Sequence, residues 1–149
     1  MNLIHYSEKP IIFDYDHSYK NKETFKPNGF WVSVLGEDDW PSWCKGAEFA
    51  LSSLSCPHRV ILRSEANVFL ISSKEELDAF NVSFKSEGGF RDDYKMKWVE
   101  VRRKYDGLII APYQYSRRLV LLWYYAWDCA SGVIWNLNAI KDCVLLKGE

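Results

Sequence analysis

The sequence predicts an α+β fold built as a single domain over residues 1–149. The chain is 149 residues long, which suits one hydrophobic core, since domains commonly hold about 100–200 residues. Hydrophobic residues make up 48% and charged residues 26%, which is ordinary for a globular protein and excludes a disordered or collagen-like chain. Strand-like and helix-like segments alternate irregularly, whereas a doubly wound parallel sheet needs a regular alternation.

Short segments rich in β-branched and aromatic residues predict the strands. The run 108–111 is apolar throughout, which is typical of a central strand buried on both faces. The predicted strands are residues 3–7, 30–34, 59–64, 67–71, 108–111, 132–135 and 142–146.

Three segments with apolar residues at helical spacing predict helices. The first follows Asp38 or Asp39, either of which can cap it, and its predicted face consists of Trp40, Trp43, Cys44 and Ala47. The second opens with a capping box at Ser73–Glu76, and its face consists of Leu77, Phe80 and Phe84. The third follows a break at Gly88 and Gly89 and runs over about 93–104, with Tyr94, Trp98, Val101 and Tyr105 along one stripe.

Charge and cysteine usage exclude several classes of protein. The net charge of −1 creates no field that would hold a polyanion, which disfavours non-specific nucleic-acid binding. The four cysteines form no Cys-x-x-Cys pair and the three histidines have no zinc-ligand spacing, so we expect no metal site. The longest apolar run, Leu119–Trp127, is too short to cross a bilayer. We therefore expect a cytoplasmic protein with reduced thiols and no membrane partner.

Aromatic residues are the unusual part of the composition. Seven Trp, nine Tyr and eight Phe make up 16% of the chain, and each ring can either fill a core or stack on a nucleobase or nicotinamide. Outside the predicted helical stripes they concentrate in residues 30–43 and 113–127. No Gly-x-Gly-x-x-Gly, P-loop, His-Glu-x-x-His or Gly-x-Ser-x-Gly motif accompanies them, so the common nucleotide and hydrolase signatures are absent.

Leu3–Ser7 is an aliphatic run followed by His5, Tyr6 and Ser7. It is the first of three short patterns that resemble the ADP-ribosyltransferase superfamily of toxin-like and poly-ADP-ribose-polymerase-like enzymes, whose opening strand is an aliphatic run followed by His, a small residue and Ser or Thr. Gly29–Ser33 is similar to its second strand, and the following helix carries another ring at Trp43. Residues 132–136 and 144–146 resemble its terminal pair of strands. The resemblance implies an ADP-ribosyltransferase-like split antiparallel sheet core with a few short helices.

For the first strand, the resemblance implies contacts to NAD⁺, the substrate of these enzymes. His5 would hydrogen-bond the adenine ribose and belong to the catalytic set. The backbone of Tyr6 would pair with the nicotinamide amide, and Ser7 would support that amide. Tyr6 stands where the family usually has Gly, so its ring narrows the pocket.

For the second strand and its helix, the resemblance implies a stacking site. Trp31 would stack on the nicotinamide, and Trp43 would be the facing ring. Ser33, on the same strand as Trp31, belongs to the NAD⁺-binding set. Cleavage of the glycosidic bond creates an oxocarbenium-like centre, so a rigid cradle with a nearby negative charge would suit the chemistry.

The sequence departs from the family at that negative charge. The catalytic Glu of the family aligns with Ser131, and serine supplies no anion. Asp128 lies three residues earlier and is the candidate replacement, although it could instead cap a turn. The resulting hypothesis is an NAD⁺-dependent mono-ADP-ribosyltransferase that modifies a protein or nucleic-acid acceptor, with a divergent active site, in a size range that suits a phage or bacterial effector.

Two alternatives remain open from the sequence. A non-catalytic module could hold a nucleotide or a single nucleic-acid strand by stacking it on Trp123, Tyr124, Tyr125 and Trp127. A phage or bacterial inhibitor could use exposed rings in residues 112–127 as the centre of a protein interface. The oligomeric state also stays open.

Overall fold

The structure, a computed structural model, describes residues 1–87 and 95–146. The strands are β1 Leu3–Ser7, β2 Phe30–Val34, β3 Cys56–Leu62, β4 Val68–Ile71, β5 Gly107–Ile110, β6 Ser131–Ile134 and β7 Ile140–Leu145. The α-helices in these ranges are α1 Trp40–Ala47, α2 Lys74–Phe84 and α3 Trp98–Lys104. Short 3-10 helices lie at Leu51–Leu54, Tyr115–Arg117, Leu122–Ala126 and Leu137–Ala139.

The strands form one seven-stranded sheet in the order β4-β5-β6-β2-β1-β3-β7. The predicted α+β class is confirmed. The expectation of a split antiparallel sheet core needs correction, because the seven strands form one continuous mixed sheet in which β4 runs parallel to β5. The chain between those two strands passes through α2 and α3, and a long helical crossover of this kind returns the chain in the same direction.

The shortest ladder of the sheet joins β1 and β2. Their ladder consists of two residue pairs, Leu3 with Val34 and Ile4 with Ser33, whereas the ladder between β1 and β3 covers all five residues of β1. Beyond Ile4, a side-chain hydrogen bond takes the place of the backbone hydrogen bonds of the ladder, because the Nδ1 of His5 lies 2.7 Å from the carbonyl oxygen of Trp31. The two strands therefore diverge at the residues to which the resemblance assigns NAD⁺ contacts.

Side-chain caps begin the first two helices where the sequence predicts them. The Asp39 carboxylate accepts a hydrogen bond from the Ser42 amide at the start of α1, and the Ser73 hydroxyl accepts one from the Glu76 amide at the start of α2. The predicted core face of α2 is buried. Helix α3 begins at Trp98, later than predicted, and the predicted break at Gly88–Gly89 and helix start at 93–94 lie outside the described residues.

Most of the tryptophans fill the core. Neighbouring residues of β5 and β6 alternate between two apolar clusters, so the clusters lie on opposite faces of the sheet. Trp123 is fully buried (0% exposed) and Tyr124 is buried with it, whereas Tyr125 is 56% exposed. The proposed stacking platform of Trp123, Tyr124, Tyr125 and Trp127 is therefore wrong, because three of its four rings are inside the protein. Within the described ranges, none of the helices has both the length and the apolar composition to cross a membrane.

Candidate functional site

A cavity of about 200 Å³ lies where β1 and β2 diverge. Successive side chains of a strand point to opposite faces of a sheet. Three consecutive residues of β1 and three of β2 nevertheless line this cavity, so the cavity lies along the facing edges of the two strands. A third segment, which leads into β6, closes it. The lining residues are Ile4, His5, Tyr6, Lys26, Trp31, Val32, Ser33, Trp40, Ala126, Trp127, Asp128, Cys129 and Ser131.

Six of the eight residues that the sequence suggests as site residues meet in this cavity: His5, Tyr6, Trp31, Ser33, Asp128 and Ser131. Ser7 and Trp43 are outside the lining. The Ser7 hydroxyl donates to the carbonyl oxygen of Lys9 at 2.7 Å, and the Trp43 ring stacks on Trp40 with centroids 5.2 Å apart. Trp40, which lies on the same helical stripe, lines the cavity instead of Trp43.

His5 has a defined tautomer. Its Nδ1 lies against the Trp31 carbonyl, and a carbonyl can only accept, so Nδ1 carries the proton. The ring stacks on Phe30 with centroids 4.0 Å apart, and burial lowers the pKa of the imidazole. His5 is therefore neutral at neutral pH, and its Nε2 is an acceptor suited to a hydroxyl group.

Two tryptophans meet in the cavity wall. The Trp31 and Trp127 rings pack edge to face with centroids 4.8 Å apart, and the Lys26 ammonium lies 4.7 Å from the Trp31 ring centroid. Trp127 is 1% exposed, yet its Nε1 has no hydrogen-bond partner in the described part of the chain. A buried donor left unpaired costs about 1–3 kcal/mol. Because the nitrogen itself is buried, this unpaired donor is a cost within the fold and is not open to a ligand in the cavity.

Asp128 supplies the carboxylate of the cavity. Its Oδ1 accepts a hydrogen bond of 3.1 Å from the Arg118 guanidinium, and both side chains are 28% exposed. Arg118 is itself held by Tyr113, whose hydroxyl oxygen lies 3.0 Å from Nη1. Oδ2 makes no hydrogen bond with any described residue, and no backbone amide in those ranges donates to this carboxylate. Asp128 is thus oriented by an ion pair and does not cap a turn.

The two serines of the cavity have structural partners. Ser33 and Ser131 lie opposite each other in the β2–β6 ladder. The Ser33 hydroxyl accepts a hydrogen bond of 2.9 Å from the Trp40 amide, which holds the start of α1 against the sheet. The Ser131 hydroxyl donates to the carbonyl of Cys129 at 3.0 Å. Both hydroxyls therefore shape the cavity wall.

The cavity also contains a thiol. Cys129 is buried, and burial raises the pKa of its thiol to about 12. Since the thiolate is the nucleophilic form, this cysteine is protonated and inert at neutral pH.

A second cavity of about 390 Å³ adjoins the first, and His5 and Trp31 line both. These two side chains therefore form a partition between the cavities. Rings and one carboxylate dominate the second lining, which also includes Ile11, Ile12, Phe13, Asp14, His17, Tyr19, Gly29, Phe30 and Leu137. Phe13 packs edge to face on Phe30 with centroids 5.3 Å apart. Two adjoining cavities that share two lining residues fit a ligand that consists of two linked halves.

Comparisons with protein-family models, with curated proteins and with solved structures found no match to this chain. In residues 1–87 and 95–146, no group of three or more His, Cys, Asp or Glu side chains is placed to hold a metal ion. The functional interpretation therefore depends on the geometry of the two cavities.

Proposed function

We propose that the chain is an NAD⁺-dependent mono-ADP-ribosyltransferase whose dinucleotide lies across the two adjoining cavities. The observation that carries this proposal is convergence: residues from β1, from β2 and from the segment before β6 meet in one cavity. These segments are far apart in the sequence, and the resemblance assigns an NAD⁺ contact or a catalytic role to each of them. A concave, largely apolar site with a few convergent polar groups is also the usual form of a cofactor site.

The proposed ligand fits the chemistry of the two cavities. The nicotinamide stacks on Trp31 in the first cavity, whose wall also includes Trp127. The adenosine half occupies the second cavity. There the Nε2 of His5 accepts a hydrogen bond from a ribose hydroxyl, and the ring of Phe13 packs on the adenine base. The Lys26 ammonium beside Trp31 faces the diphosphate that joins the halves.

The proposed reaction breaks one bond and makes another at C1′ of the ribose that carries the nicotinamide. Nicotinamide leaves with the electron pair of the C1′–N bond, which creates an oxocarbenium-like centre. The carboxylate of Asp128 stabilises that positive charge through Oδ2, while Arg118 fixes its orientation through Oδ1. The acceptor nucleophile then bonds to C1′ and loses its proton to Asp128 or to water.

The surface beside the cavity favours a protein as the acceptor. The segment 115–125, which ion pairs join to α2 and to Asp128, exposes five large apolar side chains, namely Tyr115, Leu119, Val120, Leu122 and Tyr125. The two arginines of this segment are paired with carboxylates: Arg117 with Asp78, in a bidentate pair, and Arg118 with Asp128. Neither arginine is free to hold a phosphate, so this surface suits an apolar protein patch better than a nucleic acid.

A second candidate function is non-catalytic NAD⁺ binding. The guanidinium of Arg118 offsets the charge of Asp128, and Ser131 adds no negative charge where the family has Glu. Such a protein would hold the dinucleotide without cleaving it.

Incubation with NAD⁺ labelled on the adenylate phosphate and a bacterial lysate separates these functions. The transferase is expected to release nicotinamide, seen by proton NMR, and to transfer label to material that protease digests. Label that nuclease removes would instead identify a nucleic-acid acceptor. Saturable NAD⁺ binding without nicotinamide release would support the non-catalytic function. If the protein neither binds NAD⁺ nor releases nicotinamide, both candidate functions are overturned.

A further inference from the structure

His58, in β3, is a buried histidine whose two ring nitrogens are both hydrogen-bonded. It is 1% exposed and lines neither cavity. The Ile11 amide donates to Nε2 at 3.2 Å, so Nε2 carries no proton. Nδ1 lies 3.2 Å from the carbonyl oxygen of His5, so Nδ1 carries it. The ring is therefore held as one neutral tautomer that donates on one side and accepts on the other.

These two bonds connect the partition with the wall of the second cavity. His5 belongs to the partition, and Ile11 begins the run of residues 11–14 that lines the second cavity. Residues 11–13 lie outside any strand or helix. Among the described residues, the bond from the Ile11 amide to His58 is the one hydrogen bond that ties residues 11–13 to the sheet.

We propose that His58 is a positioning residue for the nucleoside half of the ligand that occupies the second cavity. By accepting from the Ile11 amide, it ties residues 11–13 to β3. The β1–β3 ladder, in which His58 lies opposite His5, already holds the backbone of His5 at this level, so the bond from Ile11 is the one that sets the distance between residues 11–13 and His5 across that cavity. This inference rests on the proposed function, since it assumes a dinucleotide that fills both cavities. None of residues 10–14 lines the first cavity, so the nicotinamide half does not depend on the tether.

Two substitutions separate the bonds of His58. In His58→Gln the amide oxygen can take the place of Nε2 and still accept from Ile11. In His58→Asn the amide nitrogen can take the place of Nδ1 and still donate to His5, but no atom reaches the Ile11 amide. Loss of one such hydrogen bond corresponds to about a tenfold change in affinity.

The test measures dissociation constants by calorimetry for adenosine monophosphate, nicotinamide mononucleotide and NAD⁺. His58→Asn is expected to lower the affinity for adenosine monophosphate and for NAD⁺ about tenfold and to leave the affinity for nicotinamide mononucleotide unchanged. The affinities of His58→Gln should stay close to those of the wild type. A purely structural role would weaken all three ligands together. That result, or equal adenosine monophosphate affinity in the two variants, would overturn the inference.

Two further outcomes also decide the inference. If the wild type binds none of the three ligands, the proposed function fails and this inference fails with it. If His58→Asn does not fold, hydrogen exchange of the Ile11 amide in the wild type decides the question. Adenosine monophosphate is expected to slow that exchange, because a ligand against residues 11–13 holds the tether closed, and exchange that is unchanged at saturation would contradict the proposed positioning.

Discussion

Replacing Asp128 with asparagine is expected to slow nicotinamide release from NAD⁺ about 10²–10³-fold while NAD⁺ affinity stays within about threefold. The amide has the size of the carboxylate, and its Oδ1 can still accept from Arg118. It carries no charge, so the oxocarbenium-like centre loses the anion that stabilises it. The effect should therefore fall on the rate of cleavage and leave binding of the uncleaved dinucleotide almost unchanged.

Asp142→Asn is the matched control for this change. Asp142 is an exposed carboxylate on β7 and lines neither cavity, so its removal alters net charge by the same amount away from the site. Nicotinamide release should be unchanged in this variant. An Asp128→Asn protein that cleaves NAD⁺ at the wild-type rate would show that Asp128 is not the catalytic carboxylate.

Trp123→Ala is expected to lower the free energy of unfolding by about 3–5 kcal/mol. The Trp123 ring packs against Phe80, Trp98 and Trp127, and its Nε1 donates to the side-chain oxygen of Asn81 at 2.9 Å. Truncation leaves a large cavity in the core and an unpaired amide. Since domains are stable by about 5–15 kcal/mol in total, urea denaturation should show a large loss.

Tyr125→Ala provides the comparison, because Tyr125 is two residues away and exposed. Its free energy of unfolding should stay within about 0.5 kcal/mol of the wild type. If Trp123→Ala were equally mild, the ring-rich segment would not be part of the core.

Local patterns predicted the parts of the fold that local forces determine. The stripe Leu77, Phe80 and Phe84 is buried because helical periodicity alone places it on one face. The Asp39 and Ser73 caps act within three residues of themselves, so their geometry can be recognised from sequence. The order of the strands and the parallel β4–β5 pair depend on contacts that no short window contains.

The ring-rich segment shows why the remaining features could not be predicted. Residues 115–117 and 122–126 form short 3-10 helices, whose poorly sustained periodicity does not reveal which rings face inward. The choice between Trp40 and Trp43 as the cavity ring depends on how the bond from the Trp40 amide to Ser33 seats α1. Neither the inward orientation of these rings nor the position of α1 can be recognised from the pattern of residues.

The site itself combines local and distant interactions. His5, Tyr6, Trp31 and Ser33 were candidates because the resemblance implied them, and the structure brings them together in the cavity. The cavity lies where the β1–β2 ladder stops and the His5 side chain bonds to the Trp31 carbonyl, 26 residues away in the chain. The Arg118–Asp128 pair, the unpaired indole of Trp127 and the second cavity likewise become visible only in three dimensions.

Calorimetric titration of the wild type and Trp31→Ala with NAD⁺ tests the central claim most directly, with Trp43→Ala as the matched control. Trp31 lies in the partition between the cavities, and an aromatic stacking contact contributes about 1–3 kcal/mol per base. The account predicts one saturable site in the wild type, an affinity about 5- to 150-fold lower in Trp31→Ala, and little change in Trp43→Ala. No binding to the wild type, or equal affinity in Trp31→Ala, would contradict it.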